Sequence, residues 1–124
     1  MTLNELRDES FAYAERHGFH EKPVNLGERL MLITSELSEA LEADRKGKWT
    51  CERTNLTRRE CDLFRKGMLD YEQFVKGTVE EEIADAFIRL GDLAGIYNID
   101  IESHVKAKMA YNKTRPYRSG KKYG

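Results

Sequence analysis

The chain has 124 residues, one domain's length, with 40% hydrophobic and 35% charged residues and a net charge of −1. This balance gives no global attraction to nucleic acid, and no apolar run approaches the roughly 20 residues that cross a bilayer. The start, MTLNELRDES, lacks the basic and apolar stretches of a signal peptide, so a cytoplasmic location is expected, with Cys51 and Cys61 as reduced thiols. With no CxxC pair and no histidine near them, the cysteines do not read as a zinc site.

Apolar residues recur at helical spacing almost throughout, and period-two alternation is hard to find, so the expected fold class is all-α. A first helix is predicted over 3–17, with Gly18 at its C′ position. After the loop GFHEKPV, Asn25 and Glu28 start a second helix over 25–45. Its apolar stripe is Leu26, Leu30, Ile33, Leu37, Ala40 and Leu41, and Gly47 ends it. Between 48 and 77 the pattern weakens, and two short helices are expected around 57–66 and 70–76. Thr78 and Glu81 read as a capping box opening a helix over 78–97, with the stripe Val79, Ile83, Ala86, Phe87, Leu90, Ala94 and Tyr97. Asn98 is a good stop. Asp100 caps a last helix over 100–113, and Arg115 before Pro116 is pushed out of helical geometry. The tail RPYRSGKKYG reads as extended. From Ser103 to Gly124 there are five lysines, two arginines and no acid, which makes this end a candidate anion-binding element or a solvated basic end. There are no internal repeats.

Two of these helices set acids three residues apart beside an apolar stripe. SELSEALEAD carries Glu36, Glu39 and Glu42, and EEEIADAF carries Glu82 and Asp85. If the helices pack through their stripes, the flanking acids converge. Four carboxylates at a half-buried contact are costly together, and a divalent cation removes that cost. Hard oxygen ligands suit Mg²⁺ or Mn²⁺. The plainer reading makes Glu80 to Glu82 macrodipole partners and Glu36, Glu39 and Glu42 a solvated face. It weakens because the spacing occurs twice and because Asp85 lies in the second turn. A third element is basic. Lys108, Asn112 and Arg115, at spacings of four and three, suit phosphate oxygens, with a solvated helix end as the alternative.

In order, E-x-x-E (Glu36, Glu39), E-x-x-D (Glu82, Asp85) and K-x-x-x-N-x-x-R (Lys108 to Arg115), with IADAFIRLGDLAG between the last two, resemble the MazG-like nucleotide pyrophosphohydrolases of the all-α NTP pyrophosphatase superfamily. The likeness runs from about Leu26 to Tyr123, apart from the middle. It implies a four-helix-bundle-like core of antiparallel helices, completed by association into a homodimer or homotetramer. It also implies Mg²⁺-dependent hydrolysis of a nucleoside triphosphate to the monophosphate and pyrophosphate, for nucleotide-pool control or house-cleaning. By the resemblance Glu36, Glu39, Glu82 and Asp85 are the catalytic metal ligands, and Lys108, Asn112 and Arg115 contact the substrate's phosphates. The whole chain, 1–124, is then one domain, with a basic tail over 116–124. Forty-two residues separate Glu39 from Glu82, more than in compact members, so 50–77 reads as an insertion.

Further roles stay open. Glu42 or Glu81 could take a proton from water. Arg89 and Asp92 share the flank of Glu82 and Asp85, as an ion pair or as groups that orient the ligands. Phe19, His20, Asn25, Trp49 and Tyr111 are candidates for the nucleobase, with packing the plainer role for each. A phosphoribosyl-ATP pyrophosphatase and a non-catalytic helical interaction module are the competing readings. A di-iron carboxylate bundle needs E-x-x-H, which this sequence lacks. No membrane partner and no stable nucleic-acid binding are expected.

Overall fold

A computed structural model describes residues 1–51, 53 and 56–116, and among these every regular element is helical. The six helices are α1 (Leu3–Arg16), α2 (Leu26–Arg45), α3 (Arg58–Arg65), α4 (Tyr71–Phe74), α5 (Val79–Ile96) and α6 (Ile101–Lys113). The basic tail expected beyond Pro116 lies outside the described residues.

Local chemistry sets the ends. Reciprocal capping boxes stand at Thr2 and Glu5 and at Thr57 and Glu60. Asn25 Oδ1 accepts from the Glu28 N–H at 2.8 Å and Asp100 Oδ1 from the Ser103 N–H at 3.2 Å. At α5 the expected box is rearranged. Thr78 Oγ1 accepts from the Glu81 N–H at 3.3 Å, but the Glu81 carboxylate accepts from Gly77 N–H at 2.8 Å, one residue early. Gly18 and Gly47 sit at φ 75° and 67°, where a Cβ is strained, and they turn the chain out of α1 and α2.

α5 is the central helix, with α1 and α2 both packed on it. α2 runs antiparallel to α5: Ala40 and Ala43 near its end meet Val79 at the start of α5, and Glu36 further back meets Arg89 further on. The Val79 N–H donates to the Lys48 carbonyl at 2.9 Å, and Trp49 covers Ala40, Ala43 and Val79. α1 approaches closely because two glycines face it. A Cβ on Gly91 would lie 2.9 Å from Ser10 Oγ, and one on Gly95 would lie 2.7 Å from Phe11 Cβ. α6 leans on α1. There the Asn4 N–H donates to Glu102 Oε1 at 2.9 Å, Asn4 Nδ2 to Asp100 Oδ1 at 3.0 Å, and Arg7 Nη1 to the Ile99 carbonyl at 2.9 Å.

The two long stripes are only half covered. In α2 the buried residues are Ile33, Glu36, Ala40 and Ala43, while Leu26, Leu30, Leu37 and Leu41 are exposed. In α5 the buried residues are Val79, Glu82, Ala86, Gly91 and Ala94, whereas Ile83, Phe87, Leu90 and Tyr97 are exposed, Phe87 by 53%. Each helix has rotated away from its predicted stripe toward its acids, and small residues make the close contact. The helices are antiparallel, so the acidic flanks of both fall on one side of the seam and the uncovered apolar flanks on the other.

The segment 50–77 is docked on this frame. Thr50 is 1% exposed, and its N–H donates to both Glu80 carboxylate oxygens at 3.0 and 2.8 Å. Cys61 and Val75 are buried.

The glycine contacts give a direct check. Gly95→Ala should destabilise the chain by about 1–3 kcal/mol, because Phe11 Cβ sits at the root of its side chain and cannot swing aside. Chemical denaturation measures this, and an unchanged midpoint would contradict the close α1–α5 approach.

Candidate metal centre

The seam brings Glu36 from α2 together with Glu82 and Asp85 from α5. One carboxylate oxygen from each lies within 4.8 Å of the others. Glu36 and Glu82 are buried and Asp85 is half-buried. Glu39 is exposed and stands outside this trio, yet its side chain reaches Glu82.

Glu82 is the most constrained of the four. It is 9% exposed, and its Oε2 is buried with no hydrogen-bond partner. Burial first, then hydrogen bonding to Glu39 and Glu36, then their charges, push its carboxyl up to about 8. Asp85 is raised too, by burial and then by the charge of Glu36, with Arg89 opposing. Neighbouring groups steady the other acids. Arg89 Nε donates to Glu36 Oε1 at 2.7 Å. Burial and a hydrogen bond to Glu81 push the Tyr71 hydroxyl well above its ordinary range, and Asp85 and Glu82 add to this. Nothing in the helical periodicity of α5 announces Tyr71, because it arrives from α4 in the insertion. His20 spans Glu15 and Asp92, with Nε2 2.8 Å from Asp92 Oδ1. Burial opposes its charge, but the two carboxylates outweigh burial and raise its pKa.

Two cavities are lined by acids of both α2 and α5. The first, about 240 Å³, lies against Glu36 and Asp85 and is walled by Tyr13, Phe19, Ile88, Arg89 and Asp92. The second, about 170 Å³, lies further along α2 and is lined by Glu39, Glu42, Lys46, Lys48, Gly77 and Glu82. Lys46 and Lys48 were not singled out in the sequence, because they stand at the helix end and carry no motif.

The remaining sequence candidates fall elsewhere. Lys108 and Arg115 gather over Tyr111, their charged groups 5.1 and 5.7 Å from its ring centre. Asn112 is exposed beside them. None of the three lines either cavity. Of the base-recognition candidates, Phe19 walls the first cavity, and His20 lies against Phe11 and is bonded to Asp92 of that cavity's lining. Asn25 is spent on capping α2, and Trp49 Nε1 donates to Asp44 Oδ1 at 2.9 Å. Glu42 pairs loosely with Arg45 and Lys46, at 3.6 and 3.8 Å.

No family model, curated protein or solved structure matches the chain.

The raised Glu82 carboxyl has a signed consequence. Folding raises its pKa from 4.5, so between about 4.5 and 8 the folded chain holds a proton that the unfolded chain has lost. Metal-free stability should therefore fall as pH rises through that window. Glu82→Gln should flatten the fall. Melting temperatures of both proteins between pH 5 and 8, in chelator, measure it, and parallel curves would contradict the buried, crowded Glu82.

Proposed function

We propose that this chain is a Mg²⁺-dependent nucleoside triphosphate pyrophosphohydrolase of the MazG-like kind, acting as a homo-oligomer. The observation that carries the reading is Glu82. A nine-tenths-buried carboxylate with an unpartnered oxygen, set against Glu36 and Asp85, fits a site built for a cation rather than a solvated face. The donor set is wholly carboxylate oxygen, which suits Mg²⁺ or Mn²⁺. Glu36, Glu82 and Asp85 would hold the ion, with Glu39 within reach of Glu82. Bound there, the cation would offset the acids' charge, lower the pKa of a water and stabilise charge on the leaving pyrophosphate.

The chain's own residues supply the rest of the chemistry. Water adds to one phosphorus of the α–β anhydride, that P–O bond breaks, and the elements of water are divided between monophosphate and pyrophosphate. Glu81, held by Gly77 and Tyr71 beside Asp85, would take a proton from the attacking water. Arg89 keeps Glu36 turned inward. Tyr13, Phe19 and Ile88 give the first cavity aromatic and aliphatic walls.

Purified protein with Mg²⁺ and a panel of nucleoside triphosphates should release pyrophosphate and not orthophosphate. Asp85→Asn should fold with an equal or higher melting temperature, since a repelling charge is gone, yet lose at least about 100-fold in turnover. Glu36→Gln should lose activity to a similar degree. Full activity in either variant would remove the site, and orthophosphate as the product would remove the reaction.

Association is supported by the uncovered leucines of α2 beside Ile83, Phe87 and Leu90 of α5. Lys108, Asn112 and Arg115, which line neither cavity of their own chain, would then meet phosphates bound to a second copy. Light scattering at micromolar concentration should give at least a dimer, and turnover per chain should fall on dilution below the assembly point. A fully active monomer would contradict both statements.

A further inference from the structure

The two cavities differ in a way that gives the site a direction. They adjoin opposite ends of the acidic trio along one antiparallel seam. The first, against Glu36 and Asp85, is walled by Tyr13, Phe19 and Ile88, and its one cation, Arg89, is held by Glu36. The second adjoins Glu82 and Glu39 and carries two lysines, Lys46 and Lys48. We propose that the second cavity is the subsite for the two outer phosphates of the substrate, those released as pyrophosphate, with Lys46 and Lys48 as its cations. This rests on the pyrophosphohydrolase reading above and assigns that site its polarity.

Three observations converge. The cavity, about 170 Å³, is open and lined by charged side chains, among them Glu82, which has one buried oxygen without a hydrogen-bond partner. A cation held there would lie between the acids and an anion in the cavity, turning a repulsive wall into an attractive one. Lys46 reaches back one helical turn to Glu42 at 3.8 Å, so its ammonium already sits on the rim. That pair is long and solvent-exposed, hence weak, and a phosphate would displace it at little cost. Lys48 is anchored from behind, because its carbonyl accepts the Val79 N–H at 2.9 Å, fixing its backbone against the start of α5. At the other end, aromatic and aliphatic walls suit the less charged nucleoside part. The reverse placement would set three or four negative charges against Phe19 and Ile88, with Arg89 already engaged.

The full chain can be tested with inorganic pyrophosphate in the presence of Mg²⁺, by calorimetry. Both lysines are exposed, so Lys46→Ala/Lys48→Ala should keep its circular dichroism and melting temperature. Its affinity for pyrophosphate should fall about tenfold or more, as expected for lost charge-assisted hydrogen bonds. Its affinities for Mg²⁺ alone and for the nucleoside monophosphate product should stay within about twofold of the wild type. Equal pyrophosphate affinity in the double variant would overturn the subsite, and so would a parallel loss of monophosphate affinity, which indicates a general disturbance. Wild-type protein that hydrolyses no nucleoside triphosphate would instead overturn the underlying reading, a separate outcome.

Discussion

The arrangement depends on one costly contact, the burial of Glu82 against Glu36 in the antiparallel seam of α2 and α5. Apolar packing alone would have turned the leucines of α2 and the Ile83, Phe87 and Leu90 side of α5 toward each other. Instead the helices meet through Ala40, Ala43, Val79 and Ala86, and the acids come inside with them. Small residues permit the close approach, but they bury little area and so contribute little hydrophobic stabilisation. Support comes from outside the seam. Arg89 lies on Glu36, Gly77 and Tyr71 hold Glu81, and His20 holds Asp92. Glu82 alone of these acids keeps a buried oxygen without a partner. A fold that gives its peripheral acids partners and leaves one oxygen of the central acid without one concentrates its electrostatic cost at one point.

The helices were legible in the sequence because local chemistry writes them. Asn25, Thr78 and Asp100 cap where short polar side chains can reach a free N–H, and Gly18 and Gly47 end helices where φ turns positive. The rotation of each helix was not legible. Periodicity picks out the most apolar face, and in α2 and α5 only half of that face is covered. What decides the rotation is how near two backbones can come, and the alanines and glycines that allow it contribute little to an apolar pattern. Glu36, Glu82 and Asp85 were found because an i, i+3 spacing survives a rotation. Glu39 sits one further step round the helix and lands at the rim. Tyr71, Lys46 and Lys48 escaped notice for a different reason, since they reach the site through chain connectivity rather than helical spacing.

The segment between the acidic helices fits this picture as a support. Its first residues follow Gly47 directly, lay Trp49 over the alanines and tie Thr50 to Glu80. Its last helix returns Tyr71 to Glu81. Both attachments fall on the first turn of α5, where Glu80, Glu81 and Glu82 stand side by side. A run of three acids at a helix start gains from the macrodipole, but it would also splay its side chains toward water. Giving Glu80 and Glu81 fixed partners leaves Glu82 as the one acid of the run directed into the seam.

Order along the seam then becomes chemical order. One end has Asp92 with His20, then Arg89, then Glu36 with Asp85, then Glu82 with Glu39, and last Lys46 and Lys48. Along α5, Asp92, Arg89, Asp85 and Glu82 follow one another at three or four residues, about one helical turn each, and on α2 Lys46 stands seven residues, about two turns, beyond Glu39. Two antiparallel helices impose that sequence automatically. Residues rising along α2 face residues falling along α5, and any pair that meets at one turn fixes which pairs meet at the next. The single contact of Glu36 with Arg89 therefore sets the register for the whole row. It places the bare carboxylate between an aromatic-walled cavity and a lysine-rimmed one, and so gives a site made of like charges a distinct head and tail.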